Sequence, residues 1–175
     1  MNISERFSAI NLNSVYQEKV KNKAGRGIDG ISARQFSEQL PESLTRIESK
    51  VLNGAYRYTP YLEILKSKGR SKQPRVISKP SIKDKLTLSV LKDCIQEIFP
   101  ESIDRKLPNT YIREIREFIE TADSDGLSFC KLDICGFYDN IDRDILFAKL
   151  KAKITEDELL SLIRRAIINR TVPKN

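Results

Sequence analysis

Hydrophobic residues recur at helical spacing along most of the chain, which predicts a largely helical protein. The first such segment is residues 5–22. Its side chains expected in the core are Phe7, Ile10, Val15 and Val20. Ser32 is followed three residues later by Gln35, and this capping-box pattern predicts the start of a second helix. That helix carries Phe36 and Leu40.

Further helices are predicted along the rest of the chain. Pro41 has the place of a first helical residue and precedes the apolar positions Leu44, Ile47 and Val51. Ser81 with Asp84 predicts the start of a long helix that runs to Phe99. The remaining helices are expected at residues 111–121, after Asp142, and after the capping pair Thr155 and Glu158. The side chains expected inside the last helix are Leu159, Leu162, Ile163, Ala166 and Ile167.

A β-hairpin is predicted between the helix that carries Leu44, Ile47 and Val51 and the long helix that starts at Ser81. Residues 61–65 and 74–78 are short and largely apolar, and a polar stretch that contains a glycine separates them. Because residues 66–73 are too polar to pack in a core, we expect the hairpin to project with this basic tip in solvent.

Residues 129–142 are the most informative stretch of the chain, and a third strand is predicted at its start, before Gly136 breaks the pattern. Cys130, Leu132 and Ile134 fall on one face of this strand, which we expect in the core. Asp133 falls on the other face, near the end of the strand. A turn at residues 123–126 is predicted to precede the strand. A carboxylate in this place can hold a metal ion or a reacting group. It can equally cap a turn, so the pattern leaves both functions open.

The composition is that of a soluble globular protein. With 175 residues, 31% of them charged and 39% hydrophobic, the chain can bury a core and is not expected to be disordered. It has no apolar run long enough to span a bilayer and no signal-peptide pattern, so we expect a cytoplasmic protein without a membrane partner. Three cysteines without any histidine argue against a zinc site, and we expect reduced thiols that mostly pack in the core.

The net charge of +7 is concentrated in residues 66–85. The basic side chains of this block are Lys66, Lys68, Arg70, Lys72, Arg75, Lys79, Lys83 and Lys85, and its single acid is Asp84. The rest of the chain is therefore neutral. Such a localised basic block is typical of proteins that bind a phosphate backbone or a polyphosphate, although a solvated loop could carry the same charges.

Several motifs together resemble one enzyme family. The sequence L-D-I-C-G-F-Y-D-N-I-D at residues 132–142 resembles, almost residue for residue, the L-D-I-x-x-F-F-D-x-I-D motif of bacterial reverse transcriptases of the group II intron, retron and phage-defence type. Upstream, residues 27–32 resemble the family's G-x-D-G-x-S turn, and residues 98–99 resemble the end of its P-I-F. Residues 75–85 resemble its R-P-L-G-I-P-T-x-x-D-R segment, with a lysine at the closing arginine.

The resemblance implies an α+β fold that combines polymerase fingers, made of helices and a projecting hairpin, with the first part of a right-hand palm. The implied division is a helical extension at residues 1–26, fingers at residues 27–110 and the start of the palm at residues 111–175. The implied activity is that of a reverse transcriptase, an RNA-directed DNA polymerase, that copies an RNA template from a DNA or RNA primer with dNTPs.

The resemblance also implies roles for the residues of the 132–142 motif. Asp133 matches the first ligand of the catalytic Mg²⁺, or alternatively Mn²⁺, and the carbonyl oxygen of Ile134 matches a second ligand. Hard cations prefer such oxygens, and phosphoryl transfer is accelerated by positioning and charge neutralisation. Tyr138 matches the aromatic residue that stacks under the sugar and selects dNTPs, and Phe137 lies beside it as a second nucleotide-binding aromatic.

In the fingers, Arg75 and Lys66 match the residues that grip the incoming triphosphate. A planar guanidinium suits bidentate phosphate contacts, whereas an ammonium acts as a point charge. The turn between these two residues is longer than in the family pattern, so Lys68 and Lys72 remain alternatives for the lysine. The residues expected to bind nucleic acid are Lys68, Arg70, Lys72, Lys79 and Lys83.

The second catalytic motif of the family, an aromatic-x-Asp-Asp hairpin, has no counterpart in the sequence. One carboxylate does not hold two metal ions, so we expect the chain alone to be inactive and the missing aspartates to come from a C-terminal half or a second subunit. The alternative is a non-catalytic nucleic-acid- or partner-binding module on the same fold. The sequence does not distinguish a natural truncation, a split gene or a designed fragment, nor intron mobility, a retron or antiviral defence.

Overall fold

Helices and a small three-stranded sheet form the protein in a computed structural model, which confirms the expected α+β class. The structure describes residues 2–23, 25–70, 73–103, 106–122, 128, 130–134, 136–138 and 140–174. The helices are α1 (Ile3–Arg6), α2 (Ala9–Val15), α3 (Ala33–Glu38), α4 (Leu40–Leu52), α5 (Ile82–Ile98), α6 (Pro108–Thr121), α7 (Arg143–Lys151) and α8 (Asp157–Ile167). The strands are β1 (Tyr61–Lys66), β2 (Arg75–Lys79) and β3 (Thr171–Val172). A π-helical turn, Tyr16–Val20, extends α2, and a 3-10 turn, Pro100–Ser102, follows α5.

The N-terminal helix is interrupted where a single helix was predicted. The Ser8 side chain accepts a hydrogen bond from the backbone N–H of Asn11 and caps α2, so a new helix starts inside residues 5–22. This cap resets the helical phase, and Ile10 is 86% exposed, contrary to the prediction. The side chains that this region does bury are Phe7, Leu12, Val15, Tyr16 and Val20.

Most of the predicted helix starts are confirmed. Ser32 and Gln35 form a reciprocal capping box at α3. Pro41 lies in the first turn of α4, and the Asp142 side chain accepts hydrogen bonds from two backbone N–H groups at the start of α7. The buried residues of α4 are those predicted, namely Leu44, Ile47 and Val51.

The capping pair predicted for α8 does not form. Glu156 has extended backbone angles and is the residue that precedes the helix, so α8 starts one residue later than a cap at Thr155 requires. Glu158 is then the second helical residue and not the third, which is the position from which a capping-box side chain reaches back. The apolar face of α8 is nevertheless as predicted, with Leu159, Leu162 and Ile163 buried and Ala166 and Ile167 packed beside them.

One hydrophobic core joins the helices. Helix α2 packs against α4 and α5, its π-helical extension packs against α5, and α8 packs against α4. An ion pair between the Lys19 ammonium and the Asp93 carboxylate, 2.7 Å apart, crosses from the π-helical turn to α5. The side chains that α5 contributes to the core are Ile82, Leu86, Val90, Leu91 and Cys94.

The predicted hairpin is confirmed, and its base is anchored by a strand that was not predicted. Strands β1 and β2 are antiparallel, with Leu62 opposite Lys79 at the inner end. Strand β3 pairs in parallel with the inner end of β1, where Leu62 faces Val172. The hydroxyl groups of Ser78 and Thr171 are also 2.6 Å apart. The outer half of the hairpin has no such support and is exposed.

The strand predicted around Asp133 does not form. Residues 130–134 are exposed and carry no strand pairing, and both Leu132 and Ile134 lie in solvent. A strand needs a neighbour for its backbone hydrogen bonds, and within the described residues no strand pairs with this segment. Cys130 is accordingly exposed, whereas Cys94 is buried as expected. Phe129, Cys135, Asp139 and the predicted turn at residues 123–126 lie outside the described residues.

Candidate nucleic-acid interface

The outer end of the hairpin places two cations opposite each other. Lys66 ends β1, Arg75 begins β2, and the two residues are cross-strand partners in the antiparallel register. Directly opposed side chains on an antiparallel pair lie close together, and like charges in this arrangement are destabilising. No ion pair within the described part of the chain involves either residue. The arrangement is therefore one that an anion would stabilise.

An open pocket of about 340 Å³ lies at this end of the hairpin. The residues that line it are Lys66, Ser67, Lys68 and Arg75. Three of its four lining residues carry a positive charge, so the pocket suits a phosphate group of a nucleotide or of a nucleic-acid backbone. Arg70 is exposed at the tip beyond this pocket, and Lys72 lies outside the described residues.

Lys79 lies at the base of the hairpin, among other cations. The Lys79 ammonium lies over Gly25, where a Cβ atom would approach it to 2.5 Å. The neighbouring Lys85 ammonium donates a hydrogen bond to the carbonyl oxygen of Lys23. Burial, together with the charges of Lys23 and Lys79, lowers the pKa of Lys85. Positive charge thus extends from the tip of the hairpin to the loop before α3.

Lys83 lies away from the tip, in the first turn of α5. Its ammonium is 5.9 Å from the centre of the Tyr56 ring, a cation–π contact. It lines a separate pocket beside α3 and α4 and does not line the pocket at the hairpin tip. The expected nucleic-acid-binding residues are therefore not gathered at a single place.

The carboxylate of Asp84 organises the base of the hairpin from inside the core. Asp84 is fully buried and accepts hydrogen bonds from the Tyr56 hydroxyl at 2.7 Å, the Thr59 backbone N–H at 2.9 Å and the Ser81 hydroxyl at 2.7 Å. The sequence signal for part of this network is the Ser81-x-x-Asp84 spacing, which predicted the helix cap. The contacts with Tyr56 and Thr59 join positions far apart in the chain and had no local signal.

The residues matched to the catalytic motif are exposed. Asp133 and Ile134 lie in the exposed, unpaired segment described above. The rings of Phe137 and Tyr138 meet edge to face, with their centres 5.2 Å apart, on a turn that follows Gly136, whose φ of +59° is the left-handed conformation that glycine tolerates. Tyr138 is 85% exposed, so its ring is open to stacking.

The oxygen ligands at Asp133 form only part of a metal site. The carboxylate of Asp133 and the carbonyl group of Ile134 are suitable ligands for Mg²⁺ or Mn²⁺. Within the described residues, however, no group of three or more Asp, Glu, Cys or His side chains comes together. These residues alone do not match a two-metal centre, which needs carboxylates from more than one position.

Comparison with known proteins adds no family assignment. No protein-family model matches the chain, and no curated protein matches it. Among the helices that the structure describes, none combines the length and the apolar character needed to cross a membrane.

Proposed function

We propose that the chain forms the fingers and part of the palm of an RNA-directed DNA polymerase, and that the hairpin tip binds phosphate groups. The observation that supports the anion-binding part is the cross-strand pairing of Lys66 with Arg75 beside an open basic pocket. Because the paired charges repel each other, a phosphate between them would remove an unfavourable interaction as well as add a favourable one. The resemblance of residues 132–142 to the reverse-transcriptase motif supports the polymerase part.

In this proposal, Arg75 and Lys66 contact phosphate groups, which belong to the triphosphate of a dNTP during synthesis and to an RNA strand when no dNTP is bound. The remaining cations contact the backbone of an RNA template and its primer. Asp133 and the carbonyl of Ile134 contribute oxygen ligands to Mg²⁺, which would neutralise charge during phosphoryl transfer. Tyr138 and Phe137 offer their rings to the sugar of the nucleotide. Because the aromatic-x-Asp-Asp motif has no counterpart in the sequence, the 175 residues do not polymerise by themselves.

The test of the hairpin is RNA binding by fluorescence anisotropy, measured over a series of salt concentrations. Lys66→Ala and Arg75→Ala should each weaken the binding of single-stranded RNA, irrespective of its sequence. Each should also reduce the slope of log K against log salt by about 0.7, the value for one lost contact to a single strand. The matched control is Lys149→Ala, which removes the same charge from an exposed position on α7. A control that weakens binding as much as the hairpin variants would refute a specific site.

A second candidate is a non-catalytic nucleic-acid-binding module. It is favoured by the fact that the described residues include the basic pocket at the hairpin tip, whereas Asp133 belongs to no group of three or more possible metal ligands among them. The same variants separate the two candidates when a polypeptide that carries the two missing aspartates is supplied. For a polymerase, Asp133→Ala abolishes DNA synthesis and leaves RNA binding unchanged. Synthesis that survives this substitution contradicts the catalytic role.

A further inference from the structure

A second and larger pocket, of about 430 Å³, lies between α3, α4 and the chain segment that precedes β1. It shares no lining residue with the pocket at the hairpin tip. Its volume falls in the range of pockets that bind small organic molecules, which is roughly 300 to 1,000 Å³. Among its described lining residues, Lys83 is the one to which a role was given above.

The floor of this pocket is apolar and rigid. Phe36, Ile47 and Tyr56 line it, and each of the three side chains is at least 95% buried as part of the core. The Tyr56 ring is held in place at its far end, because its hydroxyl donates a hydrogen bond to the buried Asp84. The small parts of these side chains that remain exposed give the pocket an apolar floor against which an apolar group of a ligand can pack.

The rim of the pocket is basic. Lys50, Arg57 and Lys83 lie there, and within the described residues none of them forms an ion pair. One Arg57 nitrogen donates hydrogen bonds to the carbonyl oxygens of Gly54 at 3.2 Å and Tyr56 at 3.0 Å. These bonds fix the guanidinium and leave its other N–H groups to bind an anion, which lowers the entropy cost of binding. A fourth cation that lines the pocket, Arg46, forms an ion pair with Glu42.

A single carboxylate, Asp29, also lines the pocket. One of its oxygens accepts a hydrogen bond from the backbone N–H of Ile31 at 3.3 Å, which fixes the side chain in a turn. Burial raises the pKa of Asp29, so this carboxyl is partly withdrawn from water. Its remaining oxygen can accept a hydrogen bond from an N–H group of a ligand. Ser43 and Gln39 add further polar groups at the same rim.

We propose that this pocket binds a small organic anion, of the chemical class of nucleoside monophosphates. The base packs against the apolar floor, the phosphate faces Lys50 and Arg57, and an amino group on the edge of the base faces Asp29. A ligand with both parts uses the floor and the rim together, whereas a bare phosphate or a neutral ring uses only one of them. This proposal does not depend on what the hairpin binds.

The experiment is a calorimetric titration of the full chain with AMP, GMP, CMP and UMP. The matched ligand controls are adenosine, which lacks the phosphate, and ribose 5-phosphate, which lacks the ring. We expect saturable 1:1 binding of at least one of the four nucleotides. The two fragments and inorganic phosphate should each bind at least tenfold more weakly than that nucleotide. The absence of saturable binding by all four at millimolar concentration would overturn the proposal.

Protein variants locate the site. Lys50→Ala and Arg57→Ala should each weaken binding about tenfold or more, whereas Lys149→Ala, at an exposed position on α7 that lines neither pocket, should leave it unchanged. Because the Arg57 side chain also donates hydrogen bonds to backbone carbonyl groups, the fold of Arg57→Ala is compared with that of the unsubstituted protein by circular dichroism. Lys50→Ala serves as the second test, because no hydrogen bond in the described residues uses the Lys50 ammonium. Binding that is lost in Lys149→Ala, or that survives both pocket substitutions, would assign the nucleotide to another site.

Discussion

The buried carboxylate of Asp84 supports a prediction about stability, because its removal leaves three donors without an acceptor. In Asp84→Ala, the Tyr56 hydroxyl, the Thr59 N–H and the Ser81 hydroxyl all lose their bonds at 2.7 to 2.9 Å. Asp84 is 0% exposed, and Tyr56 and Ser81 are nearly as deeply buried. Water can therefore replace the bonds of Tyr56 and Ser81 only if the local packing opens, whereas the N–H of Thr59 is half-buried and lies nearer to solvent.

The magnitude follows from the number of bonds. An unsatisfied buried donor costs about 1 to 3 kcal/mol, and bonds to a charged group are stronger than neutral ones. Three donors at about 1 to 2 kcal/mol each, with some relief by local relaxation, give a loss of about 3 to 5 kcal/mol. A domain of this size has a total stability of about 5 to 15 kcal/mol, so the substitution should remove a large fraction of it.

The assay is urea unfolding followed by circular dichroism, with the free energy of unfolding obtained from the midpoint and the slope. Tyr56→Phe is the matched control, because it removes one donor, keeps the ring and should cost about 1 kcal/mol. In the double variant Asp84→Ala/Tyr56→Phe, the loss of stability should be smaller than the sum of the two single losses. The reason is that both single variants remove the same Tyr56–Asp84 hydrogen bond. A loss below about 1 kcal/mol for Asp84→Ala would refute the reasoning.

Two further predictions concern other parts of the fold. Burial raises the pKa of the Cys94 thiol to about 11, from an ordinary value of 9.0. The buried neutral thiol therefore contributes its full stabilisation below about pH 9. As the pH rises to 11, the free energy of unfolding of the unsubstituted protein should fall by about 2 to 3 kcal/mol relative to that of Cys94→Ala. Identical pH profiles for the two proteins would contradict this. The backbone amides of Leu132 and Ile134 should exchange hydrogen with solvent at nearly unprotected rates, because the segment is exposed and unpaired. Strong protection measured by mass spectrometry would show that a strand does form there.

The parts of the fold that were predictable are those set by neighbouring residues. The capping box of Ser32 and Gln35 and the cap at Asp142 depend on side chains within three positions of the backbone groups they bind. The antiparallel hairpin joins segments that are close in sequence, and its turn residues identify it. Helix phase is less secure, because one capping residue such as Ser8 changes which apolar side chains face the core, as Ile10 shows.

The parts that were not predictable depend on distant partners. Strand β3 has two residues, Thr171 and Val172, and its alignment with β1 across more than a hundred positions leaves no local pattern. The segment around Asp133 illustrates the opposite case, since its alternation indicates a strand but provides no neighbour for it. Alternation shows which face could be buried, whereas pairing decides whether the strand exists.

The two candidate sites also differ in how far they could be predicted from the sequence. Once the hairpin was predicted, the proximity of Lys66 and Arg75 followed from their places on either side of its tip. The second pocket could not be predicted, because Asp29, Lys50 and Arg57 come from separate segments and carry no shared motif. Charge counting identified the first site, while only the three-dimensional packing brings the second one together.

The network at Asp84 connects stability to the proposed function through the base of the hairpin. Thr59 lies two residues before β1 and Ser81 lies two residues after β2, and both donate hydrogen bonds to the same carboxylate. One buried group therefore bonds to the segments at both ends of the hairpin, and together with β3 it supports the base from which Lys66 and Arg75 project. Loss of Asp84 should disturb RNA binding by loosening the base of the hairpin. Loss of Lys66 should weaken it at the tip with little change in stability, because that side chain is exposed and contributes nothing to the core.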